Sequence, residues 1–583
     1  MQRRDFIKSI LPMGLAPLAL NGMPIRALSQ ALMPSAFTCD DINDRVLVIV
    51  QLHGGNDGLN TLVPLDQYSI YRNYRPIIGI PETGLRKYIT LDSSLPSNQQ
   101  IGLHPDLTGM KELYDQGKAR FIQNVSYPNL NGSHFRGTDI WLSGLEENTM
   151  PINPQSGWFG RYLNRRFPYY PDSYPNPDMA DPPGLEFGSH IVSLGFHRQT
   201  GIPMGLTMSN DPNGFYNLAN GVGGALPDTF PASEYGDELR YIVEIEKTTN
   251  VYADRINAVF NQGSNTPGVV YPLTYHTQGG SYYQNQLSPQ LKTVARLLSG
   301  GCKTKIFLVR MYGFDTHANQ GIPDKPSFGG HSALLYHLSE AIRAFQNDLL
   351  GLGLEDRVMT VTFSEFGRQV AENSTWGTDH GTAAPMMVFG KGVNPGVSGQ
   401  NPNLTTLDNN NLVGYQYDYR RVFTTLLQDW MGANNGTLDE VGWYPLSNQK
   451  LPLVNDNFIE PGGNVIDYVA DKTCDTTPDL PDLPTPSDPL LTEALNLKIF
   501  PNPATEYIEV SFQWKHMQPA HVELMDLRGR VLKSEPLRVF PGDNGIRLEV
   551  ADLSAGTYLI QVVLNKGSLS NERRAATRKV VVQ

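Results

Sequence analysis

The chain contains few charged residues, few cysteines and no long apolar run. Only 18% of its 583 residues are charged, and the formal net charge of −12 excludes nucleic acid as the main partner. Its three cysteines, Cys39, Cys302 and Cys474, match no zinc motif and allow at most one disulfide. No apolar run reaches the ~20 residues that a membrane-crossing helix needs, so we expect no transmembrane segment. Glycine (55) and proline (43) are plentiful instead, which is typical of a loop-rich exported protein.

The N-terminus has the pattern of an export signal. Arg3 and Arg4 are followed by Phe6 and Lys8, and a short apolar run occupies residues 10–20. A basic segment before so short an apolar run indicates a signal peptide, and the paired arginines indicate the twin-arginine type. We therefore expect residues 1–31 to engage the twin-arginine translocase. An ordinary secretory signal with two coincidental arginines is the alternative.

Three nearly continuous apolar segments predict buried strands. They lie at residues 45–52, 304–310 and 357–363, and each runs into a polar turn. Such strands are typical of a parallel sheet covered on both faces, and the amphipathic stretch 334–349 predicts a helix between the last two. The pattern indicates a doubly wound α/β fold, whose ligands bind beyond the carboxyl ends of the strands. Polar residues at those ends include His53, Asn56, Asp57, Asp315, His317, Glu365 and Arg368.

The rest of the chain predicts accessory parts. Residues 150–300 are rich in aromatic and proline residues, and we interpret them as insertions that shape a cleft, with helical pieces such as 233–262. Residues 471–495 alternate proline with aspartate and predict a semi-rigid linker. Short alternating strands follow in residues 496–583, and their spacing predicts a small all-β sandwich.

The polar blocks, taken in order, resemble a known bacterial family. Residues 45–61, 131–135, 313–317, 364–368 and 377–381 are similar to the signature blocks of DUF1501, a family exported by the twin-arginine route. That family resembles the alkaline phosphatase and sulfatase superfamily. The resemblance implies that residues 40–470 form an alkaline phosphatase-like domain.

The resemblance also implies a chemistry. In the superfamily, a metal cluster at the strand ends acts with a hydroxyl nucleophile at the start of a helix, and two metals can clamp an in-line displacement. It implies Ser133 as the nucleophile and Arg368 as a clamp for the transferred anion. It implies one or two divalent ions, zinc, manganese or calcium, on five ligands: Asp57, Asp315, His317, Glu365 and His380. Four further residues could join the site: His53, Asn56, His134 and Asp379.

The blocks depart from the superfamily pattern in two places. One residue separates Asp315 from His317 where the superfamily has three, and Glu365-Phe366 stands where it has Asp-His. An imidazole is therefore missing there: His134 or Asp379 could replace it, or the site could hold one metal or none.

Several of these residues also have a plain structural interpretation. Ser133 could be only a helix N-cap, Asp57 only a turn residue, and Glu365 and Arg368 only an ion pair. The expected function is that of a secreted metal-dependent hydrolase of phosphate or sulfate esters. The alternative is a degenerate member that binds an anionic glycan or a partner at the cell surface without turnover. The expected small-molecule or glycan partner is thus an anionic ester substrate or a surface glycan.

The C-terminal module has its own resemblance. Residues 498–504, 527–532, 553–558 and 578–583 look like the motifs of the sorting domain of the type IX secretion system. This resemblance implies that residues 496–583 engage that machinery, that the protein crosses the outer membrane, and that it is then released or attached to the cell surface. A carbohydrate-binding or adhesion sandwich is the alternative.

Overall fold

The computed structural model describes residues 19–20, 23–24, 44–459 and 495–582, with gaps. The gaps lie at 153, 169, 172–173, 189–191, 214–251, 277–281, 496, 515–517, 526–530, 540–541, 552, 554 and 565–573. The chain forms two compact units, Met1–Cys474 and Asp475–Gln583. Most of the expected signal peptide and of the expected linker, together with Cys39 and Cys474, lies outside the described residues.

The first unit alternates strands with helices. Its strands are Val46–His53 (β1), Leu62–Pro64 (β2), Ile89–Thr90 (β3), Ile101–Leu103 (β4), Ala119–Ser126 (β5), Gly184–Phe187 (β6), Gly205–Met208 (β7), Thr274–His276 (β8), Tyr282–Gln284 (β9), Ile306–Tyr312 (β10), Val358–Phe363 (β11), Ala384–Phe389 (β12), Gly396–Ser398 (β13), Leu407–Asp408 (β14), Asn411–Leu412 (β15) and Tyr417–Asp418 (β16). Its helices are Gly58–Thr61 (α1), Tyr68–Tyr74 (α2), Thr108–Asp115 (α3), His134–Ser143 (α4), Trp158–Arg166 (α5), 252–262 (α6), Leu287–Ser299 (α7), Gly330–Gly351 (α8), Tyr419–Thr425 (α9) and Asn435–Val441 (α10). A π-helical segment, Leu426–Trp430, extends α9, and 3₁₀ turns lie at Leu65–Gln67, Ser97–Gln99, Leu194–Phe196, Tyr444–Leu446 and Asp456–Phe458.

A nine-stranded sheet is the centre of this unit. Its order is β13-β5-β12-β11-β1-β10-β6-β7, and β16 also pairs with β5. The three predicted strands β11, β1 and β10 are adjacent and parallel, whereas β12 pairs antiparallel with both of its neighbours. Successive side chains of β11 and of all but the last residue of β1 are buried, so both faces of the sheet are covered. The mixed α/β architecture that the sequence predicts is therefore confirmed.

Residues 150–300 contribute more to the core than an insertion would. β6 and β7 extend the central sheet in parallel register beyond β10, and α7 buries Leu291, Val294 and Leu298 in the main core. The interpretation of this whole region as cleft-shaping insertions is thus wrong for these elements. Of the predicted helical piece 233–262, the described part, 252–262, is helical, and the remainder lies outside the described residues.

The second unit is all-β, as predicted. Its strands are Lys498–Phe500 (β17), Tyr507–Trp514 (β18), Gln518–Met525 (β19), Val531–Val539 (β20), Gly542–Glu549 (β21), Gly556–Leu564 (β22) and Arg574–Val582 (β23). They form two antiparallel sheets, β17-β18-β21 and β20-β19-β22-β23. Both sheets contribute to one apolar cluster that includes Val510, Leu524 and Ile560.

Among the described residues of the chain, no helix is long and apolar enough to cross a membrane.

Candidate functional site

The ends of β1, β10 and β11 are joined by backbone and side-chain hydrogen bonds. Phe314 N donates to His53 O over 3.2 Å, and Gly54 N donates to the Glu365 carboxylate over 2.8 Å. Gly54 has φ +125°, and a Cβ atom there would lie 2.2 Å from Asp315 N. Only glycine permits this close approach, so the glycine turn after β1 is what brings the polar ends of the three strands together.

A cluster of imidazoles surrounds the Asp315 carboxylate. Asp315 Oδ1 lies 3.2 Å from His317 Nε2 and 3.3 Å from His380 Nε2, while Asp315 Oδ2 lies 3.4 Å from His134 Nε2. Ligand atoms of His134, Asp315 and His380 all lie within 4.8 Å of one another, which is close enough to share one cation. His134, only an additional candidate in the sequence, is thus central to the cluster.

Each imidazole is held in place through its other nitrogen. His134 Nδ1 contacts Glu365 Oε1 at 2.8 Å, His317 Nδ1 contacts Asp379 Oδ1 at 2.9 Å, and His380 Nδ1 contacts Gly132 O at 2.8 Å. The carbonyl of Gly132 can only accept, so His380 Nδ1 carries the proton and neutral His380 presents a lone pair at Nε2.

Lone pairs on Nε2 and on the carboxylate repel each other unless a cation lies between them. The carboxylates of Glu365 and Asp379 fix the rings of His134 and His317 in the orientation that metal-binding histidines usually have. Within the described part of the chain, buried His134 Nε2 has no hydrogen-bond partner. The donor set therefore fits a divalent cation at this position.

The charge of the surroundings also fits a cation. The three carboxylates of Asp315, Glu365 and Asp379 are opposed by the single guanidinium of Arg368, so the ionised group has an excess of negative charge when its imidazoles are neutral. Burial alone would raise the pKa of Asp315, but the hydrogen bond and charge of Arg368 lower it overall. The hydrogen bond from His317 lowers the pKa of Asp379.

The pKa values of His134 and His380 are shifted in opposite directions. Hydrogen bonding to Glu365 raises the pKa of His134, although partial burial opposes it. Burial lowers the pKa of His380. His380 thus remains neutral at physiological pH, which is the form that binds metal ions.

Arg368 lies beneath the cluster with its donors engaged. Its buried guanidinium donates to Asp315 Oδ1 at 2.6 Å and to the carbonyls of Gly55 at 2.9 Å and Thr378 at 2.8 Å; it also contacts the carbonyls of Gly54 and Phe314. These bonds tie the three strand ends and the 377–381 loop together. Arg368 therefore orients Asp315 and has little donor capacity left for a substrate anion.

Asp57 and Asn56 lie apart from the imidazole cluster, in a buried network. Asp57 caps α1 and forms an ion pair with Arg75 at 2.6 Å in which both side chains are fully buried, and Gln320 also donates to it. Asn56 Oδ1 accepts from Thr61 Oγ1 at 3.1 Å and contacts the ring of His331. Neither carboxylate oxygen of Asp57 is open to a further ligand.

Ser133 and His53 border the cluster. Ser133 is the exposed N-cap of α4 and directly precedes His134; its side chain makes no capping hydrogen bond. The ring of His53 stacks on that of His134 with centroids 6.0 Å apart and meets Tyr312 at 5.1 Å. Ser133 thus starts a helix without serving its usual capping role.

The sequence contained no signal for two features of this site. Gly132 acts through its carbonyl, and Arg75 reaches Asp57 only in the folded chain. Phe366, which the sequence already singled out, packs its ring 4.9 Å from that of His134 and 4.6 Å from that of His380, so it forms an apolar wall of the cluster. His331 and His337 are buried in α8.

The chain is similar to two family models and to several solved structures. Residues 294–436 match "Protein of unknown function (DUF1501)", and residues 498–583 match "Secretion system C-terminal sorting domain". No curated protein matches the sequence.

Latent PorU from Porphyromonas gingivalis is 21% identical, with 15% of this chain and 9% of PorU covered and a TM-score of 0.14. A protein in the alkaline phosphatase superfamily from Vibrio parahaemolyticus is 10% identical over 66% of this chain and 65% of that chain, with a TM-score of 0.29. The PsFucS1 sulfatase from Pseudoalteromonas sp. is 10% identical over 90% and 86%, with a TM-score of 0.27.

The two family matches confirm both resemblances that the sequence motifs indicate. The sorting domain indicates export, followed by secretion or attachment to the cell surface. Residues 294–436 of the chain are thus similar to the DUF1501 family, and residues 498–583 are similar to the C-terminal sorting domain of a secretion system.

Proposed function

We propose that the first unit is a metal-dependent hydrolase of phosphate or sulfate esters, and that its centre holds a single divalent ion. The observation that carries the proposal is the convergence of three Nε2 atoms on the Asp315 carboxylate, each ring being anchored through Nδ1. His134, His380 and Asp315 would hold the ion, and His317 would complete the set.

The donor set narrows the choice of ion. Imidazole nitrogens with one carboxylate suit zinc and are also acceptable to manganese, whereas calcium takes six to eight oxygen ligands. Asp57 is not available for a second ion, because Arg75 already neutralises it in the buried network. The proposed centre therefore contains zinc or manganese, and one ion rather than two.

Ser133 is the proposed nucleophile. Its hydroxyl is exposed at the N-terminus of α4, where the backbone N–H groups of a helix favour an anionic ester. When bound, the cation would polarise the ester and stabilise the charge that develops on it. Glu365, Asp379 and Gly132 would keep the three imidazoles oriented, and Arg368 would keep Asp315 oriented.

The experiment is hydrolysis of small phosphate and sulfate esters by wild type, Ser133→Ala and Ser133→Thr. We expect metal-dependent turnover in wild type, loss of turnover with retained metal in the alanine variant, and partial activity in the threonine variant, which keeps a hydroxyl. Full activity of Ser133→Ala would refute Ser133 as the nucleophile.

A second candidate is a surface protein that binds an anionic glycan without turnover. The apolar ring of Phe366 at the cluster favours it, and so do the engaged donors of Arg368, because both reduce the means to stabilise a transferred anion. Metal-dependent binding of a sulfated glycan with no turnover of any ester would support this candidate.

A further inference from the structure

Three of the residues proposed to hold the ion lie on two loops that are open to solvent. Asp315 and His317 follow β10, whereas His380 precedes β12, and their side chains are 48%, 46% and 27% exposed. Side chains this exposed are not fixed by packing alone, so a defined geometry needs hydrogen bonds from a buried partner. The buried side chain of Gln320 contacts both loops.

A single amide oxygen of Gln320 joins the two loops. Thr316 Oγ1 lies 2.9 Å and Thr378 Oγ1 lies 2.7 Å from Gln320 Oε1, and all three side chains are buried. Thr316 stands between the two proposed ligands of one loop, and Thr378 lies two residues before the proposed ligand of the other. Both segments that carry ligands are therefore tied to the same atom.

The charge of Asp57 determines the direction in which this amide points. Gln320 Nε2 donates to Asp57 Oδ2, because an ionised carboxylate can only accept. Gln320 Oε1 is thus left to accept from the two threonine hydroxyls. Burial alone would raise the pKa of Asp57, but the charge of Arg75 and the hydrogen bonds around the carboxyl lower it overall. The buried ion pair therefore keeps the amide oxygen directed at the two loops.

Backbone contacts join the same two loops beside Gln320. Thr378 N donates to Thr316 O at 3.1 Å. The loops approach so closely that a Cβ atom at Gly377 would lie 2.4 Å from His317 O. The two loops thus form one unit, and Gln320 links that unit to the buried ion pair.

We propose that Gln320 is a positioning residue of the metal centre. Through the two threonine hydroxyls, it holds Asp315 and His380 at the spacing at which they can share one ion. It would contact neither the ion nor a substrate. The buried ion pair thus acts on the centre through Gln320, without supplying a ligand. This inference rests on the proposed function, because it concerns the same ion.

The experiment compares two double variants that differ in their hydroxyl groups. Thr316→Val/Thr378→Val removes both hydroxyls and keeps the shape of the side chains, whereas Thr316→Ser/Thr378→Ser keeps both hydroxyls. Competition with a chromogenic chelator should show about tenfold weaker zinc affinity in the valine variant, at the lower end of the loss usual for a lost partner of a metal ligand. The serine variant should bind zinc almost as tightly as wild type.

Thr425→Val is the matched control for a purely structural effect. Its buried hydroxyl also makes two hydrogen bonds, to Arg421 O at 2.8 Å and from Leu451 N at 3.0 Å, but α9 contributes no residue to the cluster. We expect this variant to lose stability and to keep its zinc affinity.

Hydrogen exchange of the metal-free protein gives a second readout, which does not depend on the ion. We expect faster exchange in segments 315–321 and 375–380 of the valine variant, and wild-type exchange there in Thr425→Val. A wild type that binds no zinc would refute the hydrolase proposal, while faster exchange of both loops in the valine variant would still show that Gln320 fixes their spacing.

Three results would overturn the inference. The first is unchanged exchange of both segments in the valine variant. The second is an unchanged zinc affinity in that variant when the wild type binds zinc, because Gln320 would then have only a structural role. The third is an equal loss of zinc affinity in the serine variant or in Thr425→Val.

Discussion

Glu365 provides the sharpest test of how the cluster is built. Its fully buried carboxylate accepts from Gly54 N and contacts His134 Nδ1, each at 2.8 Å. Glu365→Gln keeps the shape and an acceptor oxygen, so the fold should survive. It removes the negative charge that holds the ring of His134 with Nε2 directed at Asp315.

The expected loss of metal affinity in Glu365→Gln follows from the lost charge. A hydrogen bond to a charged group contributes about 1.5–3 kcal/mol and a neutral one about 0.5–1.5 kcal/mol. The difference of about 1–1.5 kcal/mol corresponds to roughly a tenfold weaker affinity for the ion. That value lies at the lower end of the 10–100-fold loss usual when a partner of a metal-binding histidine is removed.

The assay is competition for zinc and for manganese against a chromogenic chelator at pH 7.5. Glu186→Gln is the matched control, because Glu186 is equally buried and paired with Arg310 at 2.9 Å, but lies on β6 away from the cluster. We expect the control to lose stability and keep its metal affinity. An affinity within twofold of wild type in Glu365→Gln, or an equal loss in Glu186→Gln, would refute the reasoning.

Three further predictions test the surroundings of the site. Asp57→Asn should lower the free energy of unfolding by about 3–5 kcal/mol, because it leaves the charge of Arg75 buried and unpaired. Elemental analysis should still find one ion in the folded variant, and loss of that ion would show that Asp57 is a metal ligand. Gly54→Ala should abolish metal binding, because its Cβ would clash with Asp315 N. The control Gly84→Ala should retain the metal, because Gly84 also has a positive φ (+91°) but no atom lies within 4 Å of its Cβ. Equal metal binding in the two variants would contradict the prediction. Burial lowers the pKa of His331 from 6.5 to about 4, so between these pH values the unfolded state binds more protons than the folded state. The free energy of unfolding should therefore fall by up to about 3 kcal/mol as the pH drops from 6.5 to 4. Chemical denaturation should show a weaker pH dependence in His331→Gln, and an unchanged pH dependence would contradict the prediction.

The sequence predicted the framework of the site because the relevant signals are local. Continuous β-branched runs predict buried parallel strands, and glycines after them predict sharp turns. The rule that ligands bind beyond the carboxyl ends of such strands then predicts that the polar residues after them lie at one edge of the sheet. Asp315, His317 and His380 could be expected near one another on this basis.

The individual roles could not be predicted, because they depend on contacts distant in sequence. Asp57 precedes Arg75 by 18 residues, and only the fold shows that the two pair in the interior. Glu365 and His134 are 231 residues apart, so their hydrogen bond has no local signal. Arg368 resembled an anion clamp, but its donors are directed to backbone carbonyls that no sequence pattern reveals.

The most direct test of the single-ion centre is elemental mass spectrometry on the protein purified without chelator, beside an Asp315→Ala/His380→Ala double variant. We predict one zinc or manganese ion per wild-type chain and none in the double variant, with both proteins folded by circular dichroism. A wild type that binds no ion even after reconstitution, or a double variant that keeps the wild-type ion content, would contradict the account.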